Sequence, residues 1–329
     1  MLALFSTVIA YFLRAVISLR YSVEIRGMDK LTAERLHRKQ GILFMPNHPA
    51  HMDPPLLFLY LWPKFRMRPL ETDYVFKMAF LKPFNRLIRA IALPSFEHAV
   101  NEYKIKRAEK AIREIAEGLK KGNHFIVYPS GGLKATAKEV LGGASGAHEL
   151  LKECPDANVV LIRTTGFWGS RFSKALSGQS PNILLTLKEG CKILLKNLIF
   201  FAPRRKIVIE LEPNPDGMPR GNATRVELNR FLESWYNRYP DGEEPLQLVS
   251  YSRWKEELPE PFQPSQKQGL NQRGAPVSDE TRRKIYNEIK RILEKPDLAL
   301  DPEMSLAFDL GMDSLNIAEF ITYLAKNFD

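Results

Sequence analysis

The stretch Gly41-Ile42-Leu43-Phe44-Met45-Pro46-Asn47-His48-Pro49-Ala50-His51-Met52-Asp53 joins an apolar run to a polar turn. The run 41–45 is long enough for a buried strand. The apolar segment 54–62 that follows is a candidate helix. A strand, a turn and a helix in this order predict an α/β unit. Its turn would lie at the carboxyl end of the strand, where α/β proteins bind ligands.

The same alternation continues along the chain. Apolar segments predict further strands at 87–93, 124–128, 158–165 and 206–211. Segments with helical periodicity predict helices at 101–121, 184–200 and 223–239. We therefore predict an α/β fold with a mainly parallel sheet covered by helices.

Composition limits the class of protein. The 329 residues are 44% hydrophobic, enough for a real core. Two cysteines, Cys154 and Cys191, are too few for a disulfide framework or a Cys-rich zinc site, and we expect reduced thiols. With 48 basic and 38 acidic residues, the net charge of +10 favours an anionic partner. The basic residues alternate with apolar helix faces, so nucleic acid is not the expected partner.

The first 19 residues form an apolar segment interrupted by Arg14. Its length is close to the roughly 20 residues of a membrane span, but an internal charge is costly there. No signal-peptide cleavage pattern follows. We predict a helix in the membrane interface, with Arg14 and Arg20 near head groups; a core helix and a true span remain alternatives. The expected location is the cytoplasmic side of a membrane, peripheral or anchored by this single helix.

The chain divides into four predicted segments. A membrane-associated helix, 1–22, precedes an α/β domain, 23–257. A linker rich in proline and glutamine, 258–277, leads to an acidic helical domain, 278–329. Seven basic and eleven acidic residues give this last domain a charge of −4, so the rest of the chain carries +14. Opposite charges on tethered parts predict mutual attraction.

His48 and Asp53 are the candidate catalytic pair. A neutral histidine after a strand can take a proton from a hydroxyl, and a carboxylate on its other ring nitrogen fixes the tautomer. His51 competes for the same role. A metal site made from His48, His51 and Asp53 is an alternative, but no further strong ligand cluster follows, and we expect no metal.

A second candidate site follows the strand at 124–128. Ser130, Gly131 and Gly132 form a predicted bend whose backbone N–H groups could hold a phosphate or an oxyanion, with Lys134 close behind. A tight turn without a ligand is the alternative. Ser130 also raises a serine-hydrolase alternative, although the Gly-x-Ser-x-Gly elbow is missing.

Together the two motifs resemble a known family. The sequence from Asn47 to Asp53 resembles the His-x4-Asp signature of the glycerophosphate and lysophosphatidate acyltransferases, and Tyr128-Pro129-Ser130-Gly131-Gly132 resembles their Phe-Pro-Glu-Gly motif. Ser130 replaces the glutamate, and 93–97 lacks the family's arginine. The resemblance implies a membrane-associated O-acyltransferase. It would use acyl-CoA or an acyl carrier as donor and a lysolipid or another alcohol as acceptor, with His48 as base and Asp53 orienting it. A degraded acyltransferase that docks the carrier is the alternative.

The acidic tail resembles a second family. Asp313-Ser314-Leu315 precedes an amphipathic segment, and a helix is predicted at 280–293. This arrangement resembles the acyl carrier proteins, which implies a small all-α domain and a 4'-phosphopantetheine arm on Ser314. A serine at a helix start suits an attached phosphodiester, although a plain N-cap is the alternative. A whole carrier domain has further helices, so we expect the natural protein to continue beyond Asp329.

Overall fold

The computed structural model describes residues 2–36, 39–76, 78, 82–94, 102–262, 277–293, 295–302, 304, 306, 310, 312 and 314–328. Its strands are β1 (Tyr21–Arg26), β2 (Ile42–Pro46), β3 (Arg68–Thr72), β4 (Ile91–Leu93), β5 (Phe125–Ile126), β6 (Asn158–Thr165) and β7 (Arg205–Pro213). Its helices are α1 (Leu2–Ser18), α2 (Asp53–Phe65), α3 (Asp73–Phe76), α4 (Lys82–Ile88), α5 (Glu102–Lys120), α6 (Gly146–Glu153), α7 (Ile183–Lys196), α8 (Arg225–Tyr236), α9 (Asp279–Ile292) and α10 (Ser314–Phe328).

The seven strands form one sheet in the order β1-β7-β6-β2-β5-β3-β4. Five of the six pairings are parallel, and only β6 with β7 is antiparallel. All five residues of β2 are buried, as expected for a parallel strand covered on both faces. The prediction of a mainly parallel sheet is therefore confirmed. Its centre is β2, so the loop after β2 lies between the loops after β5 and β6.

Two apolar cores cover the two faces of the sheet. One core packs α5, α6 and α8 against the face that carries Leu43 and Met45. The other packs α2 and part of α1 against the face that carries Ile42 and Phe44. The alternation of side chains along β2 thus supplies both cores.

Some predicted elements need correction. The segment 87–93 is not one strand, because α4 continues to Ile88 and only Ile91–Leu93 pairs with β3. Strand β3 and helix α6 were not predicted. Strand β3 carries Arg68, Glu71 and Thr72, so its apolar signal is weak, and its burial comes from its place next to β5.

Helix α1 packs against α2. Arg14 Nε donates to the Leu59 carbonyl oxygen over 2.7 Å, and Arg20 donates to the Pro203 carbonyl oxygen. Both guanidinium groups therefore bind backbone carbonyls of the protein, and their position relative to lipid head groups stays a prediction. Tyr11 and Phe12 on the same helix are exposed. Among the helices of the described residues, none has both the length and the apolar character that a membrane span requires.

Helices α9 and α10 share a small apolar core of their own. Ile289, Ile292 and Phe320 are buried in it, together with Leu310 and Met312. The Ser278 hydroxyl accepts from the Thr281 amide at the start of α9, as expected for an N-cap. Most of the expected linker, 263–276, lies outside the described residues, as do 95–97 and Asp313.

Candidate active site

The loop after β2 is fixed by the side chain of Asn47. Its Nδ2 donates to the Thr164 carbonyl oxygen over 3.0 Å, and its Oδ1 accepts from the Thr164 amide over 2.7 Å. The buried amide thereby continues the hydrogen bonding between β2 and β6 beyond their last pair. The residues that follow Asn47 therefore start from a rigid position at the carboxyl end of the sheet.

His48 and Asp53 meet across the turn. His48 Nδ1 lies 3.0 Å from Asp53 Oδ1. Asp53 is the first residue of α2, where a carboxylate also suits the positive end of the helix dipole. Its side chain is fully buried, whereas the His48 side chain is 14% exposed. The carboxyl group engages one ring nitrogen, and the ring retains some access from outside.

Burial sets the electrostatics of this pair. It lowers the pKa of the His48 imidazole to about 4, although the Glu139 carboxylate acts in the opposite direction. Burial also raises the pKa of the Asp53 carboxyl group well above its usual range, while the Tyr128 hydroxyl opposes that rise. The His48 ring is therefore neutral at pH 7. With Nδ1–H donated to Asp53, its Nε2 has a lone pair that can accept a proton.

Tyr128, at the end of β5, contacts the His48 ring. The two ring centroids are 4.3 Å apart and the planes are tilted by 38°. Contact with Tyr128 on its face and with Asp53 at Nδ1 restricts both the position and the rotation of the imidazole. Tyr128 belongs to the motif at 128–132, but its place in that motif does not predict the contact with His48.

The predicted bend at 130–132 lies beside the His48 loop. The amide of Lys134 donates to the His48 carbonyl oxygen over 3.0 Å, and Ser130 Oγ donates to the Gly132 carbonyl oxygen over 3.1 Å. Gly131 has φ +69°, in the left-handed region that favours glycine. A Cβ atom on Gly131 or Gly132 would have no heavy atom within 4 Å. The bend therefore borders open space next to the histidine.

The side chain of Lys134 does not join this site. Its Nζ lies 2.5 Å from Glu244 Oε2, and both side chains are only 2% exposed. The same ammonium donates to the Ala137 carbonyl oxygen and lies 4.8 Å from the centre of the Trp168 ring. We therefore correct the prediction that Lys134 binds substrate. Its charge is neutralised inside the protein, and only its backbone supports the His48 loop.

Glu139 is a buried carboxyl group that the sequence analysis missed. Its Oε2 accepts from the backbone N–H of His48 over 3.2 Å. Its own backbone bonds to the Asn237 side chain in both directions, over 2.8 Å each. In the sequence, Glu139 is one acidic residue in a loop without a motif. Nothing in its spacing indicates that it contacts His48.

His51 contacts other residues than the pair His48 and Asp53. Its Nε2 is 3.0 Å from Ser180 Oγ, and its amide donates to the Phe172 carbonyl oxygen over 3.0 Å. The structure therefore pairs Asp53 with His48 and not with His51. Among the residues that the structure describes, no group of three or more His, Cys, Asp or Glu side chains could hold a metal ion.

A mainly apolar cavity of about 230 Å³ lies next to the turn. Met52 and Phe172 line it on the side of the loop that carries His48. Side chains of α1 and α7 form the opposite walls, including Val16, Ile17 and Leu187. An apolar cavity beside the loop after β2, which carries His48, is suited to a hydrocarbon chain.

The second candidate site is at the start of α10, which begins at Ser314. The described part of this region shows two helices and their shared core. The position of the Ser314 side chain lies outside what the structure describes.

Comparisons with known proteins assign both parts of the chain. Residues 23–164 match the family model described as Acyltransferase, and residues 283–329 match the model described as Phosphopantetheine attachment site. A crystal structure of the 1-acyl-sn-glycerophosphate (LPA) acyltransferase PlsC from Thermotoga maritima is similar at 18% identity with a TM-score of 0.43. The match covers 68% of this chain and 73% of that one. A search of curated proteins found no match.

Residues 23–164 of this chain are therefore similar to an acyltransferase domain. This domain is joined to a carrier-type domain that provides for phosphopantetheine attachment. Both resemblances stated from the sequence are confirmed at this level.

Proposed function

We propose that this enzyme transfers an acyl group from a CoA or carrier thioester to a hydroxyl of a lysoglycerolipid-type acceptor. The observation that carries the proposal is the 3.0 Å contact between His48 and Asp53, beside an open bend and an apolar cavity. A neutral base, space for an alcohol and a hollow for a hydrocarbon chain are what this reaction requires.

In the proposed reaction, His48 Nε2 takes the proton of the acceptor hydroxyl. The hydroxyl oxygen attacks the thioester carbonyl carbon and gives a tetrahedral intermediate. The C–S bond then breaks, and the imidazolium returns its proton to the departing sulfur. Asp53 holds Nδ1–H and stabilises the transient imidazolium. General-base catalysis of this kind accelerates a reaction by a factor on the order of 10²–10⁴.

The bend supplies a candidate donor for the oxyanion. The Gly131 amide already donates to the Tyr128 carbonyl oxygen over 3.1 Å. Within the described part of the chain, the Gly132 amide has no such acceptor. Of the two glycines expected at this position, Gly132 is therefore the better candidate to stabilise a developing negative charge.

The carrier domain and the membrane complete the proposal. A phosphopantetheine arm on Ser314 would hold an acyl thioester, and the linker at 258–277 would keep it at high effective concentration near His48. Helix α1 would lie in the interface on the cytoplasmic side of a membrane. Its exposed Tyr11 and Phe12 suit that environment.

Thioester consumption tests the proposal. The purified chain is mixed with acyl-CoA or an acylated carrier and a panel of lysolipids and other alcohols. Released thiol is measured, and products are identified by lipid mass spectrometry. We expect an acylated lysolipid, loss of turnover in His48→Gln, and near wild-type turnover in the matched control His51→Gln. A chain that binds the carrier but never consumes a thioester would favour the docking-scaffold alternative.

A further inference from the structure

We propose that the turn at 197–201, which follows α7, is a second membrane-contacting element that inserts beside α1 into a bilayer containing anionic lipid. This inference concerns how the protein binds a lipid surface, and it does not depend on the chemistry proposed for His48.

The turn presents large apolar side chains to the outside. Leu198, Phe200 and Phe201 are 64%, 72% and 55% exposed. A single exposed apolar residue needs no explanation, but a contiguous group marks an interaction surface. The exposed residues Leu184, Leu185, Leu195 and Ile199 extend this group along α7.

The backbone of the turn is held in an uncommon conformation. Leu198 and Ile199 have φ values of +49° and +66°, in the region that side chains other than glycine rarely adopt. Such residues persist only where the surroundings impose them. The described hydrogen bonds do so, since Ile199 N donates to the Leu194 carbonyl oxygen and Phe201 N to that of Asn197.

Asn197 fixes the turn to the body of the protein. It is fully buried, and its Nδ2 donates to the carbonyl oxygens of Ile193 and Tyr251, over 2.7 and 2.9 Å. Its Oδ1 accepts from the Arg253 amide over 2.7 Å. The buried hydrogen bonds of Asn197 fix the turn in a conformation that keeps these apolar side chains exposed.

The exposed faces of α1 and α7 meet at the apolar cavity. Val16 of α1 and Leu187 of α7 are 41% and 42% exposed, and both line it. Tyr251, whose carbonyl oxygen binds Asn197, lines the same cavity. The surface of α7 and its turn is therefore continuous with the exposed face of α1.

The basic residues around the turn indicate that its partner is anionic lipid. Between residues 183 and 204, four basic residues and one acidic residue give a net charge of +3. The four are Lys188, Lys192, Lys196 and Arg204, and all are exposed. Apolar side chains among basic ones are the pattern of segments that lie in a membrane interface and are attracted to anionic lipid.

Vesicle sedimentation tests this inference. The full chain is mixed with vesicles of phosphatidylcholine alone or with phosphatidylglycerol added. The variant Leu198→Ser/Phe200→Ser/Phe201→Ser is compared with the matched control Tyr103→Ser/Ile321→Ser, which removes exposed apolar side chains on α5 and α10. We expect wild type to bind anionic vesicles more tightly than neutral ones. The turn variant should bind at least about tenfold more weakly, with residual binding through α1, and the control should be unchanged.

Two results would overturn the inference. One is a correctly folded turn variant, checked by its thermal melting, that binds vesicles as well as wild type. The other is a wild-type chain that ignores vesicles but forms a dimer that the turn variant loses, because this surface would then join two copies of the chain. Neither result depends on acyl transfer, so failure here leaves the chemistry proposed for His48 standing. A wild-type chain that ignores vesicles would, however, also contradict the proposed placement of α1 in a membrane interface.

Discussion

Replacing Asp53 with asparagine isolates the role of the negative charge that Asp53 would carry beside an imidazolium, since an adjacent cation favours the ionised carboxylate against the effect of burial. The change keeps the size of the side chain and an oxygen that can accept from His48 Nδ1. A full charge at the observed 3.0 Å from an imidazolium would interact with it by about 5.5 kcal/mol at an effective dielectric constant of about 20. The amide dipole retains part of this energy. We therefore expect kcat to fall by about 10²–10³, which corresponds to about 3–4 kcal/mol.

The assay is release of thiol from acyl-CoA at saturating lysolipid, so that kcat is separated from KM. Since Asp53 would support the base in the proposed reaction and does not line the apolar cavity, KM should change by less than about threefold. The control His51→Gln, whose native side chain contacts Ser180 instead, should keep a kcat close to that of wild type. An Asp53→Asn enzyme that melts like wild type and keeps its kcat within about threefold would refute the charge-stabilisation argument.

Three further outcomes are expected. Since burial puts the pKa of His48 at about 4, kcat/KM should stay level from pH 8 to about pH 5.5 and fall at lower pH as the base is protonated; a fall centred near pH 6.5 would contradict the buried base. Lys134→Met should lower the free energy of unfolding in urea by about 3–5 kcal/mol, because the buried Glu244 carboxylate loses its cationic partner and keeps only its hydrogen bond from the Gly166 amide, and adding Glu244→Gln should restore part of the loss. After coexpression with a phosphopantetheinyl transferase, the intact mass should increase by one arm in wild type and stay unchanged in Ser314→Ala; an increase in that variant would place the attachment elsewhere.

Elements with a strong local signal could be predicted from the sequence. Strand β6 has the predicted bounds, and α5 begins and ends within one residue of its prediction, because apolar periodicity and a terminal Gly122 mark it. The short spacing between His48 and Asp53 also predicted a contact, since five residues leave little freedom across a turn.

Contacts between distant segments could not be predicted in the same way. Lys134 follows the bend at 130–132, but its partner Glu244 lies 110 residues later. Glu139 reaches the His48 amide across 91 residues. The first contact depends on how the loop after β5 packs against the segment after α8, and the second on how that loop packs against the loop after β2. Local pattern carries no information on this packing.

The place of β7 in the sheet also determines the order in which the chain can assemble. Strand β1 pairs with β7, where Tyr21 lies opposite Arg205, and 183 residues separate Arg20 from its acceptor Pro203. During synthesis, the N-terminal segment therefore has no sheet edge to join until nearly two-thirds of the sequence printed here has been made. Closing so large a loop is slow, and an early apolar segment must meanwhile stay unpaired. A membrane close to the ribosome would bind the apolar side chains of α1 until β7 has been synthesised.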